Sequence, residues 1–190
     1  MACVLIVDNG TKHLRKLKQL LAGHDVRVVR WNTDINAAAR NADLVVLSGS
    51  SLAPVRGHTR RYRRELAFIK TTKKPIIGIC LGFELIATAF GASLKLLKQK
   101  RHGFITIVPL RRDIAFSARR PLRVVERHRW VVASVRVPLV PLARSADGIE
   151  AVHHRTRPIY GFQFHPELLV KKQTGDEIFR NTVKRCLQKS

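Results

Sequence analysis

Short apolar runs alternate with amphipathic stretches through the first half of the chain. Val4, Leu5, Ile6 and Val7 form one such run and end in the turn signal Asp8-Asn9-Gly10, which predicts a first strand. Thr11 then stands where an N-cap would, ahead of Leu14, Leu17, Leu20 and Leu21, whose spacing places them on one face of a helix. Residues 26–31 predict a second strand, 35–42 a short Ala-rich helix, and 44–47 a third strand followed by the loop Ser48-Gly49-Ser50-Ser51. Residues 60–71 predict a helix with Tyr62, Leu66 and Ile69 on one face. Residues 75–79 predict a fourth strand and 81–90 the helix after it, with Gly91 suited to the position just beyond the helix end.

This alternation of strand and helix predicts a parallel sheet covered on both faces. Ligands of such sheets bind at the carboxyl ends of the strands, where Ser48-Gly49-Ser50-Ser51 and Cys80 both fall. The second half differs. Residues 104–108, 122–125, 131–135, 148–153 and 159–163 read as strands with short links, which predicts an antiparallel extension. Residues 174–187 predict a last amphipathic helix, with Ile178, Phe179, Val183 and Leu187 inward and Thr174 as its cap. No linker, repeat or low-complexity tract interrupts the pattern. The expectation is a single α/β domain over residues 1–190, with a mostly parallel central sheet flanked by helices and an antiparallel extension.

A chain of 190 residues with 45% hydrophobic content is long and apolar enough for a sizeable core. No run approaches the roughly 18 apolar residues of a membrane span. The start reads as a strand rather than a signal peptide. Cys3, Cys80 and Cys186 are far apart and form no C-x-x-C, which argues against a zinc site or a disulfide framework and for a reducing, cytoplasmic setting. No metal-ligand cluster or phosphate-binding Gly-rich loop stands out, so neither a metal nor a cofactor is expected.

Candidate chemistry centres on Gly78-Ile79-Cys80-Leu81-Gly82. An apolar strand runs straight into a helix with a cysteine at the junction and glycines two residues to either side, the spacing of a nucleophile elbow with Cys in place of Ser. The sharp turn brings backbones close enough for a Cβ to clash. The helix N-terminus then favours the reactive thiolate, and the Leu81 amide can face a developing oxyanion. On its own the elbow fits a buried, inert cysteine equally well. A thiol nucleophile also needs a base, and the base needs an orienting group. The strand ending Gly161-Phe162-Gln163-Phe164-His165-Pro166-Glu167 supplies His165, with Pro166 fixing the turn and Glu167 able to fold back onto the imidazole.

Together these two motifs resemble the class I, triad-type glutamine amidotransferases, and the resemblance runs from Leu5-Ile6-Val7-Asp8-Asn9-Gly10 to the last helix. Within that family, the stretch from Gly148-Ile149-Glu150-Ala151-Val152 to Arg157-Pro158-Ile159-Tyr160-Gly161 resembles the stand-alone glutaminase subunits of GMP synthases. The resemblance implies a flavodoxin-like fold and the hydrolysis of glutamine through a thioester on Cys80, with ammonia passed to a partner synthetase. It implies His165 as acid and base, Glu167 as its orienter, and the amides of Gly49 or Ser50 with Leu81 as the oxyanion hole. It implies no cofactor for the amide hydrolysis.

Three positions depart from the family's pattern. Glu84 stands where the family has a substrate-holding Gln, and a carboxylate cannot donate a hydrogen bond unless protonated. Its charge would also raise the thiol pKa. Ser50 and Ser51 replace Gly and Pro in the oxyanion loop, which would strain a serine if positive φ were required there. Arg127-His128 stands where the family often has Ser-His next to the substrate backbone. Glu84, Arg127 and His128 are therefore the expected substrate-side residues, and an altered γ-glutamyl substrate is an alternative to glutamine.

The net charge of +23 exceeds what such chemistry requires. Arg56, Arg60, Arg61, Arg63, Arg64, Lys70, Lys73 and Lys74 face only Glu65 along their stretch, and residues 95–129 are similarly cationic against Asp113 and Glu126. A solvated face is one reading. Docking to an acidic synthetase, or phosphate-led binding of RNA or another polyanion, is the other. The third reading of the whole chain is thus an amidotransferase fold recruited to RNA with a weak site.

Overall fold

The computed structural model describes residues 1–113, 115–116, 120–168 and 173–188. Arg119, part of the cationic stretch, lies outside them. Among the described residues one nine-stranded sheet runs in the order β2-β1-β3-β4-β9-β8-β6-β5-β7. Strands β1 (Cys3–Asp8), β2 (Asp25–Arg30), β3 (Leu44–Leu47), β4 (Ile76–Ile79) and β9 (Ile159–Phe162) pair in parallel. Strands β5 (Ser93–Pro109), β6 (Leu122–Ser134), β7 (Leu139–Arg144) and β8 (Ile149–His154) extend it with antiparallel pairs. The parallel half with an antiparallel extension is the architecture that the pattern of apolar runs predicts.

Alternation along the strands divides the apolar residues between two cores. Val4 and Ile6 face one side with Leu44, Val46, Ile77 and Ile79, where α1 (Leu14–Leu20) contributes Leu17 and Leu20 and α5 (Gly175–Leu187) contributes Ile178, Phe179 and Val183. Leu5 and Val7 face the other with Val45, Leu47 and Ile76, under α2 (Ile35–Ala38), α3 (Arg63–Thr71) and α4 (Leu81–Ala89). Both faces of the central strands are therefore dry, as a parallel sheet requires.

Several local expectations need correction. Residues 122–125 and 131–135 belong to a single strand, β6, because Arg127 and Arg129 point outward while Glu126 and His128 point inward in ordinary period-2 alternation. β5 begins at Ser93, well before residue 104, and carries a register irregularity between Leu96 and Arg101. β7 has no counterpart in the expected pattern. α1 is capped at His13 and α3 starts at Arg63, later than the pattern suggests. Thr11 holds the turn ahead of α1 by accepting from the His13 amide at 3.2 Å. Thr174 does sit at the N-cap of α5, but its hydroxyl donates to Arg123 O at 3.0 Å instead of capping the helix. Glu65, expected beside the surface arginines, is fully buried. Among the described residues no helix is long and apolar enough to cross a membrane.

Candidate active site

The turn from β4 into α4 fixes the first residue of the site. Cys80 has φ +50° and ψ −102°, and among the described residues it alone carries a positive φ without being glycine. Two glycines permit the turn. A Cβ on Gly82 would lie 2.2 Å from Leu47 O, and one on Gly78 would lie 2.5 Å from the Gly82 backbone. β3, β4 and α4 thus meet at backbone contact, which only glycine allows. The Cys80 amide donates to Phe162 O at 2.8 Å, tying the elbow to the end of β9. The thiol sits at the N-terminus of a nine-residue helix, where the partial positive charge favours its ionised form.

The segment after β9 delivers the second and third residues. The Gln163 amide donates to Glu150 O at 2.9 Å and the His165 amide to Val125 O at 2.8 Å, so β8 and β6 pin the backbone on either side of Phe164. Pro166 then opens a short 3₁₀ turn, Pro166–Leu168, which carries Glu167 back toward the ring. His165 Nδ1 and Glu167 Oε1 stand 2.7 Å apart, both side chains buried. That contact leaves Nε2 as the nitrogen free to exchange a proton, and among the described residues it makes no hydrogen bond.

The imidazole and the thiol meet over Gly49. A methyl placed there would lie 3.3 Å from His165 Cε1 and 3.5 Å from Cys80 Cβ. Burial pushes the Cys80 thiol pKa up, and His165 is the main influence drawing it down. Burial also opposes protonation of His165, yet the Cys80 sulfur and the Glu167 carboxylate outweigh it and hold the imidazole pKa well above its usual value. The attraction between sulfur and imidazole favours a thiolate–imidazolium pair oriented by a carboxylate, against a burial that keeps the thiol pKa above its ordinary value. Gly49 and Ser50 follow β3, and Leu81 opens α4. Among the described residues the backbone amides of all three make no hydrogen bond, so they are available to an oxyanion. Neither Ser50 nor Ser51 has positive φ, so the expected strain at the serines of this loop is absent.

Glu84 lies one turn into α4 and is 4% exposed. Gln163 Nε2 donates to its Oε1 across 3.4 Å. Burial pushes its pKa up to about 8, which the Gln163 bond only partly opposes. At neutral pH the carboxyl is therefore protonated and can donate, as the amide of Gln would. The charge expected to disturb the thiol is largely absent.

Arg127 and His128, expected on the substrate side, have side chains on opposite faces of β6, and Arg127 lies near enough to His13 to help burial lower its pKa. Arg127 is exposed on the outer face of β6, and the two residues cannot share one side of the strand. His128 has both ring nitrogens engaged, Nε2 with Glu126 Oε2 at 2.8 Å and Nδ1 with Trp130 O at 2.9 Å. It belongs to a buried cluster in which Ser145 donates to Glu150 Oε1 at 2.6 Å, and burial raises the pKa of both Glu126 and Glu150. The side chain of His128 is thus spent within the protein.

Two residues near the site escape the sequence reading. His13 packs edge-on against His165, with ring centroids 6.2 Å apart, and burial lowers its pKa. Asn9 donates to Ser48 O at 3.2 Å and to Glu65 Oε1 at 3.0 Å, while the Ser48 hydroxyl donates to Gly49 O at 2.9 Å. This chain of bonds braces the Gly49 loop from beneath. The Asp8-Asn9-Gly10 turn signal marks Asn9 only as a turn residue. Among the described residues no group of His, Cys, Asp and Glu is arranged to hold a metal ion.

Fold and site together define an α/β protein with a cysteine nucleophile elbow. The chain belongs to the class-I glutamine amidotransferase family, whose model matches residues 5–186. It is 32% identical over 188 residues to a glutamine-hydrolyzing GMP synthase subunit of Pyrococcus abyssi, covering 96% of this chain and 98% of that one. It is 28% identical over 195 residues to anthranilate synthase component 2 of Saccharolobus solfataricus, covering 97% and 100%. A solved Thermoplasma acidophilum structure, described as that of a GMP synthase subunit, superposes with a TM-score of 0.86 at 30% identity, covering 98% of this chain and 94% of that one. A glutamine amidotransferase from Thermotoga maritima shares the fold with a TM-score of 0.78 at 14% identity, covering 99% of each chain.

Proposed function

We propose that residues 1–190 act as one amidotransferase domain that hydrolyses the side-chain amide of glutamine and hands the ammonia to a partner synthetase of the GMP synthase type. In this reading the Cys80 sulfur attacks the side-chain carbonyl carbon, and the oxyanion is met by the amides of Leu81 and of Gly49 or Ser50. His165 passes the thiol proton to the departing nitrogen, which leaves as ammonia and gives a γ-glutamyl thioester on Cys80. Water, deprotonated by His165, then attacks the thioester, releasing glutamate and restoring the thiol. Glu167 keeps the imidazole in the tautomer that presents Nε2. Each oxyanion donor of this kind typically contributes about 3 kcal/mol of transition-state stabilisation.

The observation that carries this reading is the 2.7 Å contact of Glu167 with His165 beside a thiol held at φ +50° at a helix N-terminus. Glu84 supports glutamine as the substrate over a γ-glutamyl compound with an added amine. The latter would need an ionised Glu84, and burial with a pKa of about 8 opposes ionisation. Three free cysteines fit a reducing cytoplasm. The test is ammonia release from glutamine by the full chain and by Cys80→Ala, each with and without the synthetase of a GMP-synthase-type pair. Release that depends on Cys80 and rises with the synthetase supports the proposal. Release that is indifferent to Cys80 refutes the hydrolysis, and indifference to the synthetase refutes the partner.

A further inference from the structure

The start of α3 carries a cluster that amide hydrolysis leaves unused. Arg60, Arg61, Arg63 and Arg64 line a cavity of about 430 Å3 with Trp31 and Asn32. Trp31 directly follows β2, so the cavity opens at the carboxyl ends of the parallel strands, toward the edge of the sheet.

The arrangement is electrostatically unfavourable as it stands. Four guanidinium groups crowd within five residues, and Arg63 and Arg64 occupy the first turn of a nine-residue helix, whose N-terminus is itself partly positive. Among the described residues no acidic side chain lines the cavity. The one acid of that first turn, Glu65, is turned into the protein and bonded to Asn9, and burial pushes its pKa up to about 8. It is therefore mostly protonated at neutral pH and does not offset the arginines. Their internal partners are few. The Arg61 guanidinium stacks 4.1 Å over Trp31 and its Nε is buried without a hydrogen bond, while Arg64 donates to Asn32 O.

We infer that this cavity binds a phosphoryl group, carried by a nucleotide or by a nucleic-acid backbone. A phosphate offers several acceptor oxygens and more charge than a carboxylate, which suits multiple guanidinium forks beside the start of a helix. Trp31 lines the same space and gives an attached base an aromatic neighbour. The site is separate from the Cys80 row and does not depend on the proposed hydrolysis.

The test uses the full chain and fluorescence anisotropy of labelled single-stranded oligouridylate near physiological salt, with AMP, inorganic pyrophosphate and poly-glutamate as competitors. Arg60→Ala with Arg63→Ala removes two exposed cations from the cavity. Lys95→Ala with Lys98→Ala removes the same charge from β5 and serves as the control. Circular dichroism of both variants establishes that they remain folded. The expected result is binding weakened at least about 10-fold in the cavity variant and less than about 2-fold in the control. Displacement of the oligonucleotide by AMP or pyrophosphate would assign the site to small phosphates, and binding that neither of them displaces would assign it to the nucleic-acid backbone. Equal losses in the two variants, poly-glutamate competing as well as the phosphates do, or no binding to the unaltered chain would each overturn the inference.

Discussion

Gln163 donates its side-chain amide to Glu84 across 3.4 Å, and both residues are buried beside the Cys80 elbow. That one weak bond does little to stabilise a charge on the carboxyl, which is why burial carries its pKa to about 8. Below that value Glu84 is neutral and donates a hydrogen bond. Above it, the donor is lost and a negative charge appears near the thiol. Glutaminase activity of the unaltered chain should fall as pH rises through about 8, and Glu84→Gln should keep its activity there. A pH–rate profile of the two proteins checks this, and superimposable profiles would remove Glu84 from the account.

The same shift sets a stability trend, because the folded protein holds protons that the unfolded chain gives up near 4.5. Between pH 4.5 and about 8 the folded state binds more protons at Glu84 and Glu65 than the unfolded state, so stability decreases as pH rises across that window. Glu65→Gln should flatten the trend and gain on the order of a few kcal/mol relative to the unaltered chain near pH 8. Glu65→Ala should instead lose about 1–3 kcal/mol near pH 5, since it leaves a cavity and takes away one of the two acceptors of the buried Asn9 side-chain amide under the Gly49 loop. Urea melts at several pH values distinguish the two substitutions.

Glu167 orients the imidazole and raises its pKa. Glu167→Gln should lower kcat by at least about 100-fold with a much smaller change in KM, because the tautomer that presents Nε2 is no longer favoured. It should also slow alkylation of Cys80 by iodoacetamide at neutral pH, as a less basic His165 holds less thiolate. Alkylation at an undiminished rate would mean that the carboxylate does not act through the imidazole.

Gly82→Ala should disrupt the elbow, since its Cβ would fall 2.2 Å from Leu47 O, a backbone atom that cannot turn aside. A destabilisation of at least about 3 kcal/mol and loss of activity are expected. Gly57→Ala, with no atom within 4 Å of the added Cβ, separates the steric cost from the cost of positive φ alone. Thermal melts of the pair give the comparison.

The candidate site is legible in the sequence where its geometry depends on local spacing. Cys80 with its two glycines, and His165 with Glu167, each lie within a few residues on one strand end, so the motifs carry their geometry with them. The parallel half of the sheet is legible for the same reason, because apolar runs and helical faces repeat over short windows. The features that escape depend on distant partners. Glu65 looks like a surface counter-ion among arginines until Asn9, far away in sequence, draws it inside. His128 looks available to a substrate until Glu126 and the Trp130 carbonyl claim its nitrogens. β7 is masked by Pro141 within Leu139–Arg144, and the first part of β5 by lysines on an exposed ribbon with little apolar alternation.

The most direct test of the central claim is a rapid-quench mass measurement of the chain mixed with glutamine, followed by peptide mapping. A glutamyl adduct on Cys80 should build up and decay, and should be absent from Cys80→Ala. Ammonia release with no adduct on Cys80, or an adduct confined to Cys3 or Cys186, would contradict it.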